Sequence, residues 1–153
     1  MSRQHNDEFP RPEEVIPHRP PHLWLDGITD LSETGASGFW TPAAENFWGH
    51  FPGLELLPGV KQVESIAQLG AYTIMHASDK PLLPLFKGIE EVSFERPVRP
   101  GETMDLEVEI VDRDKSKFKG EGTAMVGGEL ACRATIVGVA MSERAAMRLL
   151  QSQ

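Results

Sequence analysis

Pro58-Gly59 opens the one long stretch of this chain that follows a helical period. Val60, Val63, Ala67, Gly70, Ala71 and Ile74 recur at three- and four-residue steps, with mostly good helix formers between them. The spacing predicts a helix from about Val60 to about His76, about 25 Å long at about 1.5 Å per residue. Its small residues Ala67, Gly70 and Ala71 would let a sheet or a second helix approach closely. With one such helix, the rest of the core has to come from strands.

Strand signals stand on both sides of it. Leu23 to Asp30 and Ala36 to Thr41 are short apolar stretches bounded by Gly, Ser and Pro. A loop punctuated by Pro52, Gly53, Pro58 and Gly59 then runs from Trp48, and no helix persists through it. After the helix, Lys80–Phe86 reads as a loop with two prolines, and Ile89, Val92 and Phe94 as a strand before the Pro97–Gly101 turn. Met104, Leu106, Val108 and Ile110 alternate with Asp105, Glu107 and Glu109, the pattern of a strand with one buried face. Lys117 to Val126 and Glu129 to Ala140 follow, joined by the hairpin signal Gly127-Gly128. The expected class is α+β, an antiparallel sheet wrapped around one central helix. The expected division is a polar flexible arm at 1–17, mobile or loosely docked and holding three prolines, one domain at 18–140 and a tail at 141–153.

At 153 residues the chain is long enough for one domain with a real core. Its single cysteine, Cys132, can form no internal disulfide and reads as a small buried strand residue. The apolar runs are broken by charge, and the first residues lack the apolar stretch of a signal peptide, so a soluble cytoplasmic protein without membrane contact is expected. Acidic residues outnumber basic ones 23 to 15, a net charge of -8. The densest basic run, Arg113 to Lys119, is interleaved with Asp112 and Asp114, which argues against nucleic acid as a partner.

Few residues remain for chemistry. Histidines stand at 5, 18, 22, 50 and 76 without a zinc spacing, and no metal site is expected. Serine-hydrolase, nucleotide and dinucleotide motifs are all missing. The loop Gly49-His50-Phe51-Pro52-Gly53 offers a histidine that could serve as a base or as an ordinary turn residue. Glu64 lies among core-facing positions in the first turns of the helix, where a carboxylate is costly unless partnered or used. Gln68, four residues on, can hold it on the same helix face. The Gly59 amide sits at the helix N-terminus, where free N–H groups and the dipole favour a developing anion.

Together these segments resemble a known family. Gly49-His50-Phe51-Pro52-Gly53, Leu57-Pro58-Gly59-Val60, Val63-Glu64-Ser65-Ile66-Ala67-Gln68 and Phe94-Glu95-Arg96-Pro97-Val98-Arg99-Pro100-Gly101 are similar to the (3R)-hydroxyacyl-[acyl-carrier-protein] dehydratases of the FabZ type. Ile16-Pro17-His18-Arg19-Pro20 and Leu25-Asp26 fit the same family's opening strand, and the likeness runs from about Val15 to about Ala140. It implies a hot-dog fold and homodimers, with further assembly as a trimer of dimers. Each site would take His50 from one subunit and Glu64 from the other. It also implies His50 as base, Glu64 as acid, Gly59 as the oxyanion-binding amide, Gln68 as the carboxyl's partner and the Leu56 carbonyl as the group orienting the imidazole. The chain departs from the family at Pro21, His22, Trp24, Gly27 and Trp48, and Lys80–Phe86 has no tyrosine to serve as the family's gate.

The implied reaction needs no cofactor: neutral His50 would take the Cα proton and Glu64 would protonate the leaving hydroxyl. The same fold can also bind acyl chains without turning them over, or cleave thioesters. An acyl carrier protein is the implied partner. Such carriers are acidic, so docking on a chain of net charge -8 calls for a local basic patch, for which Lys87, Arg96 and Arg99 are the candidates.

Overall fold

Residues 3–152 are described by the computed structural model. A short helix α1 (Pro12–Val15) precedes strands β1 (Gly27–Leu31) and β2 (Gly35–Trp40). The long helix α2 (Gly59–Ala77) follows, then β3 (Leu82–Phe94), β4 (Met104–Asp114), β5 (Lys117–Val126), β6 (Glu129–Ser142) and a terminal helix α3 (Glu143–Gln151). The strands form one antiparallel sheet in the order β1-β2-β4-β5-β6-β3.

The sheet wraps α2. In the middle of the helix, Ile66, Leu69 and Tyr72 are fully buried in one core with Leu106, Ala124, Ala134 and Ile136 from β4 to β6, while Ile74, 1% exposed, packs with Phe118 and Ala140. Two hydroxyls inside the same helix are buried without cost to hydrogen bonding: Ser65 donates to the Gln62 carbonyl and Thr73 to that of Leu69. The approach is closest at Gly122 of β5. A Cβ there would collide with Cγ2 of Ile66 and lie 3.0 Å from the Glu107 carbonyl oxygen.

The first strand starts at Gly27 rather than Leu23, two further segments differ from the sequence expectation, and the arm takes the docked of its two expected forms. Lys80–Phe86 is not all loop, because β3 begins at Leu82 and Pro84 pairs with Ala140. β3 is the last strand of the sheet, so a proline's missing N–H costs no ladder bond on its open side. Residues 141–153 are not a plain tail: Ser142 caps α3 by accepting the Ala145 N–H, and Ala146 is fully buried. The arm expected at 1–17 is docked over its described part, Met1 and Ser2 lying outside the described residues. Asn6 donates to the Ile28 carbonyl, the Ile28 N–H donates to Nδ1 of His5, and Ile16 is 1% exposed. These contacts occupy backbone groups that the edge strand β1 would otherwise present to water.

β3 has no such cover. Phe86, Ile89 and Phe94 are each about half exposed along its free edge, at 48%, 50% and 53%.

Candidate active site

The loop before α2 holds His50 in one orientation. Its Nδ1 lies 3.0 Å from the Leu56 carbonyl oxygen. A carbonyl can only accept, so Nδ1 carries the proton and Nε2 is left with its lone pair. The backbone on either side is fixed too: His50 N–H donates to the Phe47 carbonyl, and Leu56 N–H to that of His50. The ring stacks on Phe51 with centroids 4.2 Å apart. In the neutral ring, Nε2 is therefore the nitrogen that can take a proton.

Glu64 is on the second turn of α2 with its side chain 31% exposed. Its Oε1 accepts from Nε2 of Gln68 at 3.1 Å. The Gln68 amide is itself unambiguous: Oε1 accepts the Trp24 N–H at 2.7 Å, and Nε2 also donates to the His22 carbonyl at 2.8 Å. Gln68 is 1% exposed, so these bonds hold a buried amide and through it the carboxyl. Gly59 stands at the first position of α2, and its N–H has no partner among the described residues. Phe94 of β3 lies against it closely enough that a Cβ would come within 2.8 Å of the ring. A side chain at 59 would push the Phe94 ring away.

Beyond Glu64 an apolar slot of about 70 Å³ runs between α2 and the sheet, lined by Ala67, Ala71, Leu85, Phe118 and Ile136 among others. A larger open hollow, about 530 Å³, lies on the sheet face turned away from α2, among Glu91, Glu107, Glu109, Glu121 and Arg133. No histidine lines it, whereas His18 and Glu64 both line the smaller slot.

Within one chain the structure brings Glu64 to Gln68 and His50 to Leu56, while no hydrogen bond or ion pair among the described residues joins His50 to Glu64. One neighbour of Glu64 was assigned no role in the sequence. His18 places Nε2 3.8 Å from Glu64 Oε1, across 46 positions of chain that no motif spacing spans.

The three basic candidates are not equivalent. Lys87 and Arg99 are exposed. Arg96 is committed to the fold, its guanidinium making two bonds of 2.9 Å to Glu102 and one of 3.2 Å to Glu129. Arg96 in turn holds the Glu102 carboxyl below its ordinary range, mainly through that hydrogen bond. The contribution of such a depressed carboxylate to stability is full above the ordinary carboxylate range and fades as pH falls through the folded value. Arg96→Ala should therefore lower the melting temperature at neutral pH and flatten its decline on acidification, as differential scanning calorimetry would read. Burial pushes the Cys132 thiol up to about 11, as befits a thiol with no exposed surface.

The family model described as ApeI-like, ApeI dehydratase, matches residues 35–129. A 3-hydroxyacyl-[acyl-carrier-protein] dehydratase FabZ of Clostridium perfringens is 37% identical over 127 residues, which span 81% of this chain and 91% of that protein. The protein of the same name from Bacillus subtilis is 40% identical over 123 residues, 78% of this chain and 87% of that one. Among solved structures, the dehydratase heterocomplex ApeI:P from Xenorhabdus doucetiae matches with a TM-score of 0.77 at 18% identity, over 93% of this chain and 98% of that chain. A hypothetical thioesterase from Streptococcus pneumoniae matches with a TM-score of 0.63 at 9% identity, over 75% and 84%. The two structures share the hot-dog fold with this chain.

Proposed function

The chain belongs to the ApeI-like and FabZ family of 3-hydroxyacyl-[acyl-carrier-protein] dehydratases, and on that premise we propose that it converts (3R)-3-hydroxyacyl thioesters on acyl carrier protein to trans-2-enoyl thioesters. The setting would be fatty-acid or related acyl-chain biosynthesis in the cytoplasm. No helix among the described residues is long and apolar enough to cross a membrane.

The observation that supports the reading is a carboxyl, Glu64, held by Gln68 at an apolar slot; the imidazole of His50, held by the Leu56 carbonyl on the loop before α2, is joined to it only in the assembled site argued below. His50 Nε2 takes the Cα proton, and the electrons of that bond become the new C=C. Glu64, protonated, gives its proton to the β-hydroxyl, which leaves as water. Charge that gathers on the thioester oxygen is met by the Gly59 N–H, a kind of contact worth about 3–4 kcal/mol in the transition state. The proton gained by His50 equals the one lost by Glu64, so the cycle closes by transfer between them.

The site is completed by a second copy of the chain. Among the described residues no hydrogen bond or ion pair joins His50 to Glu64 within one chain, and the half-exposed apolar residues of β3 lie along an edge that a second β3 can extend. We take the unit to be a homodimer, with a trimer of dimers as its further assembly.

Purified protein supplied with a 3-hydroxyacyl thioester, or in reverse with an enoyl thioester, should interconvert the two, read as enoyl-thioester absorbance. Release of free thiol would identify a thioesterase, and bound but unchanged thioester a binding protein. Either outcome overturns the proposal.

Carrier docking falls to Lys87 and Arg99, since Arg96 is held by its two glutamates. Arg99→Glu should raise KM for carrier-bound substrate several-fold, more at low salt, and leave turnover of a pantetheine thioester as it was. Equal loss on both substrates would show that this side chain is not part of the docking surface.

A further inference from the structure

We infer that His18 is a positioning residue for the acid. Its Nε2–H donates to Glu64 Oε1 beside the Gln68 amide once substrate fills the slot, which fixes the acid proton of Glu64 on Oε2. The inference rests on the dehydratase reading and adds a residue to it.

The imidazole is placed by its surroundings. Arg19 Nη1 donates to the Ile16 carbonyl at 2.9 Å and to that of His18 at 2.6 Å, which stiffens the backbone around His18. Further along the same segment, the His22 carbonyl and the Trp24 N–H are both tied to Gln68, one turn of α2 from Glu64. His18 is thus anchored to the same element that carries the carboxyl, and it lines the slot with it.

The proton can be assigned. His18 Nδ1 is buried and has no partner among the described residues. A buried N–H without an acceptor is rarer and costlier than a buried lone pair without a donor, so in the neutral ring the proton belongs on Nε2. That nitrogen is the one facing Glu64. The 3.8 Å separation exceeds the usual hydrogen-bond length of about 2.7–3.2 Å. Catalytic hydrogen bonds are often long before substrate binds and tighten in the complex.

Two N–H donors on one oxygen make it the carbonyl oxygen of a neutral carboxylic acid. The proton then sits on the other oxygen, free of the Gln68 bond, where a leaving hydroxyl can collect it. This works only while His18 is neutral, because an imidazolium at that place would draw Glu64 into its carboxylate form. Burial pushes the His18 pKa below its ordinary value; Glu64 on α2 pulls it back up, and Arg19 and His22 on its own segment push it further down. Pro84, Leu85 and Phe86 of β3 and Phe118 of β5, which also line the slot, bring no titratable group.

The test compares wild type, His18→Gln, His18→Phe and Glu64→Gln on a pantetheine thioester across the acidic and neutral range, with the fold of each checked by circular dichroism. His18→Phe should lose about tenfold in kcat, the worth of one hydrogen bond, with KM little changed. His18→Gln keeps an N–H at the same reach and should recover most of that loss. It should also change the acid limb. In wild type, protonation of His18 removes activity and adds one proton to the acid limb of log kcat/KM; in His18→Gln that limb should be shallower by one proton. Wild-type kcat in His18→Phe, or an acid limb in His18→Gln as steep as in wild type, would overturn the inference. Should His18→Phe fail to fold, the acid limb of His18→Gln decides alone. An active Glu64→Gln would remove Glu64 as the acid and overturn the inference with it, whereas a wild type that forms no enoyl product would remove the dehydratase reading itself.

Discussion

Glu64→Gln should lower kcat by about 10²–10⁴-fold, the span that one general acid contributes, with the fold and the assembly unchanged. Glutamine keeps the volume of the side chain and can still pair with Gln68, so what is lost is the transferable proton. His50→Ala should fall as far, for the complementary reason: the Leu56 carbonyl loses its donor and the Cα proton loses its acceptor. The two losses should not add. Both groups act in one transition state, so the double variant should be little slower than either single one. Steady-state turnover of a 3-hydroxyacyl thioester reads all three. A single variant at near wild-type rate would remove that residue from the mechanism.

Gly122→Val should be the most damaging single change to the fold. A Cβ at this position already meets Cγ2 of Ile66 and the Glu107 carbonyl oxygen. Neither can give way easily, because Ile66 is fully buried with a stiff β-branched side chain and the carbonyl belongs to β4, the strand paired with β5. The helix would have to lift from the sheet. Overpacking of this kind costs about 3 kcal/mol, which for a chain of this size is a fall of about 6–12 °C in melting temperature. Glu64 stands two residues before Ile66 on the same helix, so activity should fall with stability. Gly122→Ala combined with Ile66→Ala should be more stable than the sum of the two changes predicts, since each removes the other's obstacle. Simple additivity would place the crowding elsewhere.

The parts of the fold that local pattern controls were legible in the sequence. The Pro58-Gly59 start of α2, the strict alternation of β4 and the Gly127-Gly128 hairpin all appear where the pattern puts them, the two glycines at φ 57° and 83°. The parts that depend on neighbours were not. Pro84 read as loop because sequence does not show that β3 lies at a sheet edge, where a proline is harmless. α3 spans nine residues, too few for periodicity to stand out from a tail. In the candidate site, Gln68 was legible because it is one helical turn from Glu64. His18 was not, because only the tertiary path of residues 16–24 brings it there. The bonds that hold Arg96 were not legible either, because its partners, Glu102 and Glu129, lie across a turn and on another strand.

The claim on which the account turns is that one site is built from His50 of one chain and Glu64 of another, and subunit mixing tests it directly. His50→Ala and Glu64→Gln proteins, each inactive alone, are combined and allowed to exchange subunits. Half of the reassorted dimers are mixed, and in each of these one site carries both defects and the other neither, so activity should return to about a quarter of the wild-type value. No recovery after exchange has been verified would contradict the shared site and place both groups within a single chain.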